Sequence, residues 1–187
     1  MKTYIKNMVC KRCIMAVDRI FRESGYEPES VSMGEVVTSQ VIDPDSLAHI
    51  RQKLKEVGFE IIEDSNSRII EKIKNLIIET VHYSEDDQKL NYSVMIESEL
   101  HKNYNYLSNL FSSITGTTIE QYIIHQKIEK AKELLVYNEL NLSEIAFRLG
   151  YSSVAHLSSQ FKKVTGLTAT HFKEIGEHKR KAIDEVV

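Results

Sequence analysis

The chain has no tryptophan, two cysteines, two prolines and seven glycines in 187 residues, and no apolar run of membrane-spanning length. Each scarcity removes a class of protein. Cys10 and Cys13 stand three residues apart near the N-terminus, so no disulfide framework can staple the fold, and a reducing compartment fits. The opening MKTYIKNMVCKRC has charges but no apolar signal core behind them; a soluble, cytoplasmic protein without a membrane partner is expected. With so few prolines and glycines and no low-complexity segment, nothing suggests a long disordered tail. An excess of positive charge is missing too: the net charge is -3, a mild argument against a nucleic-acid partner. What remains is a length that allows one or two domains with real hydrophobic cores.

The distribution of charge is less discouraging than its sum. Between Gly150 and Ile183 the cations Lys162, Lys163, Lys173, Lys179, Arg180 and Lys181 face only Glu174 and Glu177, while Glu85-Asp86-Asp87 forms an acidic loop elsewhere. The stretch from Leu142 to Phe172 reads as a short capped helix (LSEIAFRLG), a tight turn at Gly150, a second amphipathic helix (VAHLSSQFKKVTG) and another capped start (LTATHF). Two helices this short bury too little to stand alone, which predicts that one is held for presentation to a partner. The pattern occurs twice, offset by 50 residues: Leu107 answers Leu157, Phe111 answers Phe161, Thr115-Gly116 answers Thr165-Gly166, Thr118 answers Thr168, Tyr122 answers Phe172 and Ser93 answers Ser143. Self-similarity at a fixed period is architectural information. It predicts tandem helix-turn-helix units at 93–116 and 143–166, with Ser93 and Ser143 as helix caps.

Thr118, with Gln121 three residues on, opens a helix over 118–137 that joins the units, its apolar positions Ile124, Ile128, Ala131 and Leu135 along one side. Such a rod spans ~30 Å, comparable to the ~34 Å between successive major grooves on one face of B-DNA. In the first presented helix, Leu107, Leu110, Phe111 and Ile114 are expected inside, leaving Tyr104, Asn105, Ser108, Asn109 and Ser112 outside. Asn pairs with adenine and Ser with several base edges, but this helix carries no Arg or Lys for guanine. In the second, Leu157, Phe161 and Val164 step inward, and Ser152 or Ser153 caps. Ser153, Val154, Ala155, His156, Ser158 and Ser159 stand where base edges would be reached, and Lys162 and Lys163 where phosphates lie. The turn of the first copy is irregular, Leu100 followed by His-Lys-Asn, and Asn103 is the expected left-handed residue. The tail HKRK at 178–181 is a further basic element.

The N-terminal 64 residues alternate differently. A strand over 2–8, a helix with Cys13, Val17 and Ile20-Phe21 at helical spacing, and two short strands around Gly34 come first. A helix follows, capped by Asp45 or Ser46 with Leu47, Ile50, Leu54 and Val57 inside, and a last strand begins at Phe59. That order, βαββαβ, is the split ferredoxin-like sandwich. In the loop before its first helix, MVCKRC at Met8–Cys13 resembles the MxCxxC signature of heavy-metal-associated domains such as copper chaperones, with Asn7 where that family usually has Gly. Two thiolates at this spacing converge on one soft ion, copper(I) or zinc, and the nearby helix start with Lys11 and Arg12 stabilises their charge. Met8 reads as a core plug. The other reading is a sandwich without metal that serves as a homodimer or regulator-docking module.

Ser65-Asn66-Ser67 reads as a polar joint, followed by a helix from Arg68 to Tyr83 with Ile69, Ile70, Ile73, Leu76, Ile77 and Val81 on one face. Residues 68–175 resemble the DNA-binding domain of the AraC/XylS family, on the strength of LSEIAFRLGYSSVAHLSSQFKKVTGLTATHFK and FSSITGTTIEQYIIHQKIEKAKELL. The resemblance implies an all-α domain of seven helices over 68–187 and sequence-specific binding to double-stranded promoter DNA. The chain departs from it at FSS, where the first copy usually has FKK, and at Ala169, usually Pro.

The expectation is therefore a DNA-binding transcription regulator whose N-terminal domain receives a soft metal ion or a thiol-reactive signal. A metallochaperone or protein adaptor without DNA affinity is the alternative. Catalysis is not expected: no His, Asp or Glu stands in a recognisable arrangement with Ser or Cys, and no Gly-rich phosphate loop is present.

Overall fold

Residues 1–84, 91–175 and 183 are described by the computed structural model, and the chain divides into two units, Met1–Asn75 and Leu76–Val187. The acidic stretch at 85–87 and the HKRK tail at 178–181 lie outside the described residues.

The N-terminal unit is a four-stranded antiparallel sheet, β1 (Lys2–Lys6), β2 (Pro28–Ser32), β3 (Glu35–Thr38) and β4 (Glu60–Ile62), in the order β2-β3-β1-β4. The register pairs Thr3 with Val36 and Ile5 with Ile61. Helices α1 (Lys11–Glu23) and α2 (Pro44–Glu56) connect β1 to β2 and β3 to β4. Alternation along β1 sends Thr3 and Ile5 inward, where Ile5 joins Met8, Val17, Phe21, Val36, Ile50 and Leu54 in one core. Asp43 rather than Asp45 or Ser46 caps α2, accepting the Ser46 amide at 2.9 Å with Pro44 at the first helical position. Proline is favoured there because its missing N–H would have no helical partner anyway. Val57, expected inside, is exposed because α2 has already ended.

The expected joint at 65–67 is instead the first turn of α3 (Ser65–Ile78). Asp64 supplies the reason: its carboxylate accepts the Ser67 amide at 2.7 Å, and small polar residues suit a first helical turn as well as a linker. The border between the units falls inside α3, after Asn75, rather than at residue 64. Within the sheet unit, Arg68 and Lys72 lie over the Tyr4 ring at 4.9 and 5.2 Å. Asn75 donates to the Met33 carbonyl at 3.2 Å, beside Gly34. A Cβ on Gly34, at φ +83, would stand 2.2 Å from the Asn75 amide nitrogen, so that hairpin accepts only glycine.

The second unit continues from the end of α3 through a π-helical turn (Glu79–Tyr83). It contains α4 (Tyr92–Leu100), α5 (Tyr104–Thr115), α6 (Ile119–Tyr137), α7 (Leu142–Arg148), α8 (Val154–Thr165) and α9 (Ala169–Ile175). The described chain has nine α-helices, α1 and α2 in the sheet unit and seven, α3–α9, from Ser65 onward, of which α3 begins in the sheet unit.

Helix α6 is the spine of this unit and packs on α5, α7, α8, α9 and the π turn. Burial is not confined to the one side expected. Ile119, Tyr122, Ile123 and Gln126 are buried along its first half, and Ile128, Glu129, Ala131, Lys132, Leu134 and Leu135 along its second. Buried charge is balanced internally, Lys132 Nζ lying 2.8 Å from Glu129 Oε2. Gln126 meets the Nε2 atom of buried His82 at 2.9 Å, and burial pushes that imidazole below its ordinary pKa, against the upward pull of the Gln126 bond.

Candidate nucleic-acid interface

Helices α5 and α8 are built alike from their side chains upward. Leu107 and Phe111 of α5, and Leu157 and Phe161 of α8, are fully buried. Each phenylalanine meets an aromatic of the next helix edge-on, Phe111 with Tyr122 at 5.7 Å and Phe161 with Phe172 at 5.5 Å. Burying one such ring stabilises by about 1.5–3 kcal/mol, and the edge-on contact adds about 0.5–1.5 kcal/mol. Both helices end on a glycine in the left-handed region, Gly116 at φ 74 and Gly166 at φ 77. Just before it, the Thr115 hydroxyl donates to the Phe111 carbonyl at 2.8 Å, and Thr165 does the same to Phe161 at 2.7 Å. Thr118 then accepts the Gln121 amide and Thr168 the His171 amide, opening α6 and α9.

The scaffold helices that precede them also match, with caps two residues upstream of those expected. Asn91 caps α4 and Asn141 caps α7, so Ser93 and Ser143 lie inside the first turn. Asn141 forms a reciprocal box with Glu144, which accepts the Asn141 amide at 2.7 Å. The turns differ. Gly150 (φ 68) makes the second, but in the first copy His101 (φ 50) rather than Asn103 is left-handed. Asn103 is instead the cap of α5, accepting the Asn105 amide at 3.0 Å.

On α8, Ala155, His156, Ser159, Lys162 and Lys163 are exposed, and Ser158 is half-buried. Val154 is half-buried against the core, and Ser153 is exposed and accepts the His156 amide at 3.2 Å, so both act first as structure. His156 is oriented from two sides, by the Ser152 hydroxyl 3.2 Å from Nδ1 and by the Tyr151 ring edge-on at 5.2 Å. Tyr151 is itself buried, and Lys127 of α6 lies between it and Tyr92, 5.5 and 5.3 Å from the two ring centroids. Burial lowers the Lys127 pKa and raises that of Tyr92 to about 12. Val164, expected inward, is exposed.

On α5, Asn105 and Asn109 are exposed; Ser108 and Ser112 are half-buried, and the Ser112 hydroxyl donates to the Ser108 carbonyl at 2.9 Å. Ile114, expected inside, is exposed like Val164. Tyr104 is half-buried and already engaged: its amide donates to Glu97 Oε1 at 2.5 Å and its hydroxyl to Glu120 Oε1 at 2.6 Å. Burial and then the Glu120 carboxylate raise the phenol's pKa, and the same hydrogen bond is the largest cause lowering that of Glu120. Two residues escaped the sequence reading. Tyr106 is exposed at the position that His156 holds in the second copy, and Lys102, just ahead of α5, has Nζ 5.8 Å over its ring. Carrying His156 back by 50 residues would have found Tyr106.

The two cysteines come together at the start of α1. Cys10 is the N-cap in extended conformation and Cys13 lies in the first turn, their sulfurs 3.1 Å apart and both partly exposed. Burial works to raise the Cys10 thiol. The hydrogen bonds it takes from the Cys13 side chain and from the Cys13 and Arg12 amides outweigh that, and its pKa falls; burial raises Cys13. Met8 is fully buried beneath the loop. Asn7 stands at φ 71, with its side chain donating to the Gly58 carbonyl and its amide to Glu71. Asn tolerates this left-handed conformation better than most residues. Among the described residues no cluster of three or more His, Cys, Asp or Glu has metal-site geometry.

Residues 97–175 match the family model described as a helix-turn-helix domain. That match lies within the second unit and covers both presented helices. The chain is 25% identical over 154 residues to the uncharacterized HTH-type transcriptional regulator YtdP of Bacillus subtilis, covering 80% of this chain and 20% of that protein. It is 40% identical over 62 residues to the HTH-type transcriptional activator RhaR of Cronobacter sakazakii, covering 33% of this chain and 22% of that one. This chain therefore spans only about a fifth of the length of these curated relatives. Among solved structures, the C-terminal domain of AraT, a response regulator from Geobacillus stearothermophilus, aligns with TM-score 0.52 and 24% identity over 64% of this chain and 95% of that one, a likeness of fold. The domain departs from the AraC/XylS pattern it resembles where Ser112-Ser113 replace the usual lysines. Ala169, in the usual proline position, opens α9 and is buried.

Proposed function

We propose that this chain is a sequence-specific transcription regulator that binds double-stranded DNA through α5 and α8. The observation that carries the reading is the repetition, at the buried positions, of a presented helix on a braced scaffold, each copy showing short polar residues to solvent. Helix α6 has 19 residues, so it is roughly 28 Å long, commensurate with the ~34 Å separation of successive major grooves on one face of DNA. Asn105 and Asn109 suit adenine, His156 and Ser159 suit acceptor-rich edges, and Lys162 and Lys163 suit phosphate. The names of the relatives, transcriptional regulator and activator, agree with this.

The N-terminal unit is, in this proposal, a ferredoxin-like split β-α-β sandwich that receives a soft metal ion or a thiol-reactive signal. The strand order and the two crossover helices support the first half. The two converging sulfurs at an exposed helix start support the second. Two thiolates fit a soft monovalent ion such as copper(I) better than zinc, which takes four ligands in closed sites. Cys10 and Cys13 would hold the ion, with Lys11 and Arg12 offsetting the thiolate charge.

Electrophoretic shifts on the chain's own promoter region test the whole. Binding is expected to be sequence-dependent and to weaken steeply with salt, and Cys10→Ser with Cys13→Ser is expected to abolish metal uptake and any metal effect on binding. No specific complex at low salt, with or without metal, defeats the DNA reading. Metal transfer to an acceptor protein without DNA affinity would establish the chaperone or adaptor in its place.

A further inference from the structure

The repeat supplies an internal control for every charged side chain near the presented helices, and one set of contacts fails to repeat. At the start of α5, Glu97 accepts the Tyr104 amide at 2.5 Å and Glu120 accepts its hydroxyl at 2.6 Å. Fifty residues on, the three positions hold Phe147, Val154 and Thr170, which can form neither a carboxylate nor a phenol contact. The caps themselves are neutral in both copies, Asn103 and Ser153, so the carboxylates are what divides them.

A helix start is where backbone N–H groups and the macrodipole favour an anion. In α5 that position is occupied by a carboxylate from the same chain, with a second carboxylate one side chain away. The far end of the helix adds nothing to offset it, since Ser112 and Ser113 stand where α8 has Lys162 and Lys163. The cation nearby, Lys102, lies over the Tyr106 ring.

Resting on the DNA-binding reading above, we propose that Glu97 and Glu120 are specificity-determining residues of the first copy. They place negative charge at the start of α5, where it opposes any approaching phosphate, and fix Tyr104 as a positioning residue. The first copy then reads base edges through Asn105 and Asn109 without a phosphate anchor, while the second anchors the complex. A reading helix that lacks the sequence-independent attraction to phosphate contributes only where the bases match, so it adds discrimination rather than affinity.

Glu97→Gln and Glu120→Gln test this directly, because each keeps an oxygen to accept the Tyr104 bond and removes only the charge. The probe is a random-sequence duplex of about 30 base pairs, roughly three helical turns, titrated at several salt concentrations. The double variant is expected to bind it about tenfold more tightly at low salt, with the gain vanishing as salt rises. Glu120→Gln alone, at an exposed position, is expected to gain about threefold, with a stability loss of no more than the carboxylate's helix-start and Tyr104 contacts supply. Tyr104→Phe, which keeps both charges, is expected to gain nothing. Wild-type protein that binds the duplex, together with charge-removed variants that bind it no more tightly, overturns this inference alone. Wild-type protein that binds no DNA overturns the parent reading as well.

Discussion

Laid over one another at an offset of 50, the two copies agree at their buried positions and diverge where side chains face solvent. Leu107 and Leu157, Phe111 and Phe161, Tyr122 and Phe172 hold the same places, as do the caps Asn91 and Asn141 and the terminal glycines Gly116 and Gly166. Outside, Asn105 faces Ala155, Tyr106 faces His156, and Ser112-Ser113 face Lys162-Lys163. Packing tolerates little change in volume, whereas exposed positions are free to specialise. The difference teaches that one scaffold can present two surfaces of unlike chemistry without altering how either helix is held.

The largest effects should come from the shared frame. Phe111→Ala and Phe161→Ala are each expected to cost about 3–5 kcal/mol in denaturant unfolding. A difference of more than about 2 kcal/mol between them would break the equivalence, since context alone spreads such values by that much. Next comes the charge that divides the copies. Lys162→Ala with Lys163→Ala is expected to weaken DNA binding roughly 10- to 100-fold and lower the salt slope by about two; Ser112→Ala with Ser113→Ala should leave the slope alone. Equal slopes for the two pairs would erase the asymmetry.

Much of this frame was legible in the sequence because a repeat betrays itself by period. Thr118 and Ser153 cap as expected, but the caps of α4 and α7 stand two residues before Ser93 and Ser143, since Ser and Asn both cap helices and only the backbone decides which does. Ile114 and Val164 fall on the apolar face by spacing, yet stand exposed because periodicity locates a face and not where its neighbour ends. The contacts of Tyr104 with Glu97 and Glu120 join residues of three helices across two turns, a proximity no local pattern announces. The same holds for Cys10 and Cys13 in reverse: three residues apart on one helix start, they were readable at sight.

The turns offer a finer comparison. Gly150→Ala should cost about 1–2 kcal/mol, the penalty for a Cβ in the left-handed region, whereas His101→Gly should be neutral or stabilise by up to about 1 kcal/mol. If His101→Gly destabilises, the imidazole contributes contacts that its φ does not reveal. Smallest is the effect of acid on the π turn. His82 is held below its ordinary pKa of 6.5 by burial, so the unfolded chain takes up a proton first as pH falls. Stability is full above about 6.5 and declines below it, by no more than about 1.4 kcal/mol per pH unit, until the folded His82 also protonates. His82→Gln should remove that component of the pH profile. An unchanged acid limb would place the titrating group elsewhere.

The matched ends of α5 and α8 carry a practical consequence. Each segment leaves through a threonine and a glycine of the same geometry, while the entries differ, Tyr104 held by Glu97 and Glu120 where Val154 packs on the core, so residues 105–116 and 155–166 are the interchangeable cassettes. A chain with the two transposed should keep its interior and reverse the order in which it meets a bipartite target, turning an asymmetric molecule into its own mirror in sequence preference.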